Sequence, residues 1–417
     1  MRYVTSFLAF TFGAFALSLN SGYSWGPAGL LICAIISALW QRSPRLLIPG
    51  KDDAWITAAF LLFFMVALAE VALHGSGSSE LDKPSRFLFA LVVLAFLNRY
   101  PPSPAWLWVG IALGATGGGL IGVYHVFVQG MPRAGGSMNP IQFGNLSILL
   151  GLLSMCAIFW QKENRTKNGL LTAFFGLSVI LGILGALLSG SRGGWLALLV
   201  VPIVLIGGYI RQFRKKSMIA GLVALTVAVS TLVGLAGDIV EQRIDNAAAE
   251  FEAYQTHNDA SSSVGVRLEL WKSAWLLGSS KPLLGWGTNG ITEGKQQLIE
   301  AGKVKADVLR FSHAHNDYLD LFQKRGVPGL ASMLALYLLP MVAFIREIRH
   351  QPDQRSMAFA GLATVICYAI FSLTQAFLEH NSGAMVYAFS IVLLWTAHKS
   401  AVGTNEPSLS SKRSIRP

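Results

Sequence analysis

Charge is scarce in this chain: Asp, Glu, Lys and Arg make up 13% of its 417 residues, against 53% hydrophobic types and a mean hydropathy of +0.50. An ordinary soluble domain carries about twice that charge. Disorder is therefore excluded and a soluble enzyme is disfavoured. Cysteine is scarcer still, and Cys33, Cys156 and Cys367 all lie in apolar runs. That excludes a disulfide framework and a cysteine metal cluster, and leaves packing as their role. An Asp-x-Asp motif is also lacking, so nothing advertises a metal-nucleotide site. Acidic residues are the minority charge, with 22 Asp plus Glu against 33 Lys plus Arg and a net charge of +11. Where the basic residues stand decides whether that excess faces nucleic acid or a membrane.

What the chain does have is long apolar runs. They predict spans near 4–19, 26–40, 54–73, 86–98, 105–128, 141–160, 169–188, 194–210, 217–236, 327–345, 356–378 and 383–398, about twelve in all. Met1 to Leu19 holds one basic residue and no compelling cleavage pattern, so it is expected to be an uncleaved first span. With the N-terminus inside, nineteen Lys and Arg fall on inside segments, from Arg2 through Arg45, Lys167, Arg211, Arg214, Lys215 and Lys216 to Arg416. The short outside loops hold only Lys83, Arg86, Arg133 and Arg192. The asymmetry predicts that both termini are cytoplasmic. Anionic lipid accounts for the positive charge, and nucleic acid is not an expected partner.

The expected organisation is nine spans in 1–236, a large outside loop in 237–326, three further spans in 327–398 and a polar cytoplasmic tail in 399–417. From Asp238 to Arg325 the loop carries twelve acidic and ten basic residues, so it is close to neutral. Within it, Val266, Leu270, Trp271, Ala274 and Trp275 fall near one helical stripe, with Arg267 leading from the other side. Gly285 to Gly287 reads as a turn, and His257, Asn258 and Asp259 as a surface segment.

Two stretches on the outside face have the composition for chemistry. In FSHAHNDYLDLFQKRGVPG, Phe311 to Gly329, His313 and His315 precede a helical run at the water-facing end of a span. An imidazole there exchanges protons near working pH. His-x-His also suits zinc, but no convincing third ligand accompanies it, because Asp317 and Asp320 serve a helix N-terminus equally well. No metal site is therefore expected. In SGSRGGW, Ser189 to Trp195, Arg192 offers five donors beside flexible glycines, which suits a phosphate or diphosphate; snorkelling to the interface is the plainer alternative. Arg267 is a candidate second guanidinium, with Glu269 among its possible salt-bridge partners. Arg86 is a possible lipid-diphosphate contact, with Lys83 a weaker one. Glu70, His125, Asn145 and Gln375 suit an internal polar network or a ligand path. Glu379, His380 and Asn381 form a short outside turn that is either solvated or part of the active face.

Arg192 in SRGGW, Arg267 in GVRLELW and His315 opening HNDYLDLFQKRGVPG together resemble the O-antigen ligase (WaaL) family. That family is related to O-antigen polymerases and to protein O-oligosaccharyltransferases. His315 and Asn316 are followed by nine residues, Gly326, two residues and Gly329, which fits the family's His-[Asn/Ser/Gln]-x9-Gly-x2-Gly pattern. The resemblance implies an all-α polytopic, GT-C-like membrane glycosyltransferase with a large helical periplasmic loop, in the inner membrane of a Gram-negative bacterium. It implies an O-antigen donor on undecaprenyl diphosphate, a lipid A-core acceptor, inversion at the anomeric carbon, and no cofactor or metal. His315 would be the catalytic base, Arg192 and Arg267 would hold the diphosphate, and Arg86, His313 and Asn316 would bind substrate or support the site. A polymerase or a protein O-oligosaccharyltransferase is the nearest alternative, and a lipid or polysaccharide transporter the alternative of another class.

Overall fold

The computed structural model describes residues 1–43, 47–166, 168–209, 237–257 and 260–403, with two isolated positions, 230 and 234. The described residues are helical throughout, with short turns between helices. The succession is α1 (Arg2–Ala14), α2 (Gly22–Trp40), α3 (Ala54–His74), α4 (Asp82–Arg99), α5 (Pro104–Val123), α6 (Pro140–Glu163), α7 (Gly169–Leu188) and α8 (Trp195–Tyr209). After it come α9 (Gly237–His257), α10 (Ser263–Ser280), α11 (Gly287–Glu300), α12 (Asp317–His350), α13 (Ser356–Phe371) and α14 (Asn381–Gly403).

This is a polytopic membrane protein, but eight described helices are long and apolar enough to cross a bilayer, not about twelve. Each of the four lost spans has its own reason. The first, α1, has 13 residues and rises only about 20 Å against a hydrocarbon core of about 30 Å. In α4, Asp82, Lys83, Arg86 and Arg99 share 18 residues, too many charges for a lipid-facing segment. Apart from the isolated positions 230 and 234, the expected span at 217–236 lies outside the described residues, as do Arg45, Lys167, Arg211, Arg214, Lys215, Lys216, Arg416, Asn258 and Asp259. Finally, α13 ends at Phe371 after 16 residues because the chain turns at Ser372 to build part of the site. The GT-C-like expectation is corrected as well: the described residues include no β-sheet of the kind that fold would bring.

Burial organises the bundle around α6 and α14, which are enclosed on most sides, while α3, α5 and α8 expose apolar flanks. At one end Asp53 is fully buried; it accepts hydrogen bonds from Trp395 Nε1 (2.8 Å) and Asn98 Nδ2 (2.7 Å) and pairs with Lys399 Nζ (3.0 Å). Pairing of this kind lets a carboxylate remain inside a bundle. At the opposite end converge the ends of α3, α7 and α13 and the beginnings of α8, α12 and α14. Over that end lie α10 and α11, and Val266 and Leu270 of α10 form a small core with Val304 and Val308 of the segment that follows α11.

The cap is joined to α12 at a break in the helix. Gly326 has φ 63° and ψ −154°, a region open essentially to glycine alone. There Val327 N donates to Pro282 O (2.7 Å), and Trp286 N donates to Gln323 O (2.9 Å). Gly285 and Gly287, at φ 67° and 65°, make the turn that fits this break. The first glycine of the His-Asn-x9-Gly-x2-Gly pattern is thus where the cap is docked. The charged pair beside it is tied down too: Lys324 bridges Asp320 (2.7 Å) and Glu379 (3.0 Å), and Arg325 Nε lies 3.5 Å from Glu70 Oε2.

Candidate active site

Asn316 caps α12, its Oδ1 accepting from Leu319 N (3.0 Å) while its Nδ2 donates to Leu373 O (3.0 Å). It orders both the helix start and the turn after α13. Asp317 Oδ2 accepts from Ser372 Oγ (2.6 Å) and Phe377 N (2.9 Å), and Asp320 Oδ1 accepts from Ala314 N (2.8 Å). Carboxylates in a first helical turn are favourable in any case; here they also fasten the 313–316 turn to the 372–378 turn. Between these anchors His315 takes φ 50°, a left-handed conformation that a non-glycine residue adopts at a cost.

His315 Nδ1 lies 2.7 Å from Gln375 Oε1. A carbonyl oxygen only accepts, so Nδ1 carries the hydrogen and Nε2 keeps its lone pair. Gln375 Nε2 in turn donates to His380 Nε2 (3.1 Å). The His313 ring stands edge-on to His315 at 4.3 Å between centroids, and Phe311 at 5.3 Å. Burial pushes the His315 pKa down to about 4; the bond to Gln375 opposes this, and His313, Arg267 and His380 reinforce it. Burial lowers His313 and His380 as well. Glu379 is held below the usual carboxylate range by the Lys324 ammonium. The cluster is therefore one of neutral imidazoles at pH 7, and Glu379, next to His380 in the chain, is already paired with Lys324.

Arg192 and Arg267, 75 positions apart in sequence, line one cavity of about 300 Å³ together with Arg133, Ser191, Trp271 and Thr374. Arg192 stands in the turn between α7 and α8, and Arg267 in the first turns of α10, whose start is capped by Ser262 Oγ accepting from Gly265 N (3.0 Å). Burial weakens the hold of Arg267 on its proton, and the Arg192 charge adds to the effect; Glu250 works against both. Two guanidiniums that repel each other across a cavity are more stable once an anion lies between them. A Cβ on Gly193 would strike Thr374 Oγ1, so the glycine allows the Arg192 turn to press against the turn carrying Gln375. The cavity and the histidine are neighbours through Thr374 and Gln375.

The remaining expected residues fall as follows. Arg86 does not line this cavity; it pairs with Asp82 Oδ1 (2.7 Å) and donates to Asn381 Oδ1 (3.3 Å), supporting the turn that holds His380. Lys83 lies with Arg325, Asp317 and Glu379 on a second, smaller cavity. Glu269 is not the partner of Arg267: it is buried, accepting from Tyr254 Oη (2.6 Å) and Lys305 N (2.9 Å). Glu70 and Asn145 belong to internal networks, through Thr288 N and Ser191 Oγ respectively. His125 Nδ1 is buried without a hydrogen-bond partner among the described residues.

Two residues carry more than their sequence context signalled. Arg133 reads in sequence as one more loop cation, yet it lines the arginine cavity, with Nε donating to Ser189 O (2.7 Å). Gln375 reads as a polar residue in an apolar run, yet it fixes the tautomer of His315. The sequence signals for Gln375 are its polarity within an apolar run and its nearness to Glu379, His380 and Asn381.

Known proteins show the same affinity. Residues 177–334 match a family model described as O-antigen ligase, and that segment contains Arg192, Arg267, His313, His315 and Gly326. The chain is also 26% identical over 381 residues, 90% of its own length and 94% of the relative's, to an uncharacterized protein of Haemophilus influenzae. The stretch that matches the family thus runs from α7 to the middle of α12 and contains both candidate cations and the candidate base. Over residues 177–334 the chain matches the O-antigen ligase family, as its motifs imply.

Proposed function

We propose that this protein is an O-antigen ligase, a metal-independent inverting glycosyltransferase. In this reading it moves O-antigen polysaccharide from undecaprenyl diphosphate to a sugar hydroxyl of lipid A-core. The reaction takes place on the periplasmic face of a Gram-negative inner membrane, with both chain termini cytoplasmic. The observation that supports it best is the pairing, on one face, of a neutral imidazole whose Nε2 lone pair is free to accept with a cavity lined by Arg133, Arg192 and Arg267.

The donor diphosphate lies among the guanidiniums with its anomeric carbon toward His315. The acceptor hydroxyl gives its proton to His315 Nε2 as its oxygen attacks that carbon. The new C–O bond forms on the face opposite the departing diphosphate, so one displacement inverts the configuration. The electron pair of the broken bond leaves with undecaprenyl diphosphate, whose negative charge grows by one; this developing charge is what fixed arginines stabilise most effectively. The imidazolium left behind returns its proton to water. By accepting from Nδ1, Gln375 leaves the Nε2 lone pair available before each transfer and keeps the ring aimed through the cycle, and Asn316 and His313 support that geometry. Two lipid-anchored reactants need lateral access with their sugars in water, and the domain division expected from sequence, with residues 237–326 as a periplasmic lid, provides for both.

The test is transfer in vitro, with purified protein, carrier-linked glycan and lipid A-core, in the absence of nucleotide and in the presence of a chelator. Glycosylated lipid A-core is the expected product. Growth of carrier-linked glycan instead would reassign the protein as a polymerase, and loss of activity on chelation would refute metal independence.

A further inference from the structure

At the end of the bundle away from the histidines, where α3 begins and α12 and α14 finish, a cavity of about 560 Å³ opens among Lys51, Trp55, Arg346, Trp395 and Lys399. Two acids lie on it as well, Asp52 and Glu347. Most of these charges are engaged. Lys399 pairs with Asp53 at 3.0 Å, and Glu347 faces His398 Nε2 at 3.0 Å. Lys51 and Arg346 form no ion pair among the described residues, and the Arg346 guanidinium stands 5.6 Å above the Trp55 ring. A guanidinium on an aromatic face keeps its edge donors available.

An apolar track leads away from this cation. Leu334, Leu338 and Val342 precede Arg346 at intervals of four residues, and these three are 43%, 52% and 38% exposed. That spacing puts them on one flank of α12 running from the cavity into the depth of the membrane. Trp55, 39% exposed, marks the boundary at the start of α3, where an indole is at home between hydrocarbon and headgroups. Cations at the membrane surface, an interfacial tryptophan and an apolar track beneath them together fit a molecule with an anionic head and hydrocarbon tails.

We propose that this cavity binds one anionic glycerophospholipid, its phosphate between Arg346 and Lys51 and an acyl chain along Leu338 and Val342. In the orientation proposed above the lipid belongs to the cytoplasmic leaflet, where anionic headgroups are drawn to basic pockets between spans. It stands at the opposite membrane surface from His315, so it is a structural ligand and not a reactant. By bridging the ends of α3 and α12 it braces the two helices whose other ends carry Glu70 and the histidine turn.

The full-length protein, loaded with equal amounts of phosphatidylglycerol and phosphatidylcholine, would be stripped stepwise and weighed by native mass spectrometry. The site predicts one phosphatidylglycerol retained in preference to phosphatidylcholine, and a loss of that preference by about tenfold or more in Arg346→Gln/Lys51→Gln. Equal retention of the two lipids, or an unchanged preference in the variant, would overturn the proposal. Should the double variant fail to fold, competition on the wild-type protein decides. Excess inorganic phosphate leaves the bound phosphatidylglycerol in place if the acyl track contributes, whereas displacement would reveal a simple ion site and overturn the lipid assignment.

Discussion

Replacing Gln375 by Glu puts a carboxylate where a neutral amide now accepts from His315 Nδ1 at 2.7 Å. The geometry is nearly conserved, so the change acts chiefly through charge. In the wild-type protein burial holds the His315 pKa at about 4. An adjacent carboxylate stabilises the imidazolium and raises such a pKa by about 1 to 3 units, which moves it to about 5 to 7. The sign is fixed: the base works only when unprotonated, so activity falls as pH drops through this value. The acid limb of kcat/KM, which reports the free enzyme, should lie near pH 4 in the wild type and well above it in Gln375→Glu. A readout independent of turnover is the pH dependence of His315 acylation by diethyl pyrocarbonate, followed by peptide mass spectrometry. An acid limb that stays in place in the variant would refute the role assigned to the Gln375 contact, and a wild-type limb at the ordinary imidazole value near 6.5 would refute the lowering by burial.

Arg267→Ala should remove charge-assisted hydrogen bonds worth about 1.5 to 3 kcal/mol, lowering kcat/KM roughly tenfold to more than a hundredfold. Arg267→Lys should recover only part of this, because the planar fork is lost; full recovery would mean that Arg267 acts only as a diffuse charge. Arg133→Ala should weaken donor binding while leaving the acid limb unmoved, as seen from KM and the pH profile. Gly326→Ala forces a Cβ into a glycine-only conformation against Pro282 O and should cost about 1 to 3 kcal/mol, visible as a lower Tm and faster proteolysis of the cap. Tyr254→Phe removes the bond to buried Glu269 and should destabilise the cap by about 1 to 3 kcal/mol without shifting the pH profile. An unchanged Tm would contradict that account.

Membrane character, the helical cap and the candidate base were legible because each leaves a local mark. Apolar runs mark helices able to cross a membrane, and the charged segment from Asp238 to Arg325 marks α9 to α11, which are not among them. The number of spans was less legible. Hydropathy recognises apolar stretches such as Val4 to Leu19 and Phe87 to Leu97 but does not say whether their helices cross. In the fold α1 is too short, α4 carries charges at both ends, and α13 stops where Ser372 bonds Asp317. At the site, Arg192, Arg267 and His315 were picked out by motif, while Arg133 and Gln375 were not, because their roles exist only after α7, α10, α12 and α13 bring their ends together. Arg86 illustrates the converse: a cation at the right membrane boundary whose contacts go to Asp82 and Asn381 rather than into the arginine cavity. The glycines were legible as a pattern, but the reason for Gly326, a helix break that receives the Pro282–Gly287 turn, is a tertiary fact.

The most direct measurement is single-turnover transfer from undecaprenyl-diphosphate-linked glycan to lipid A-core by purified wild-type protein and by folded His315→Ala. The account predicts glycosylated lipid A-core with inverted anomeric configuration from the wild type, and loss of that product in the variant although the donor still binds. Full transfer by a folded His315→Ala protein, or retention of configuration, would contradict it.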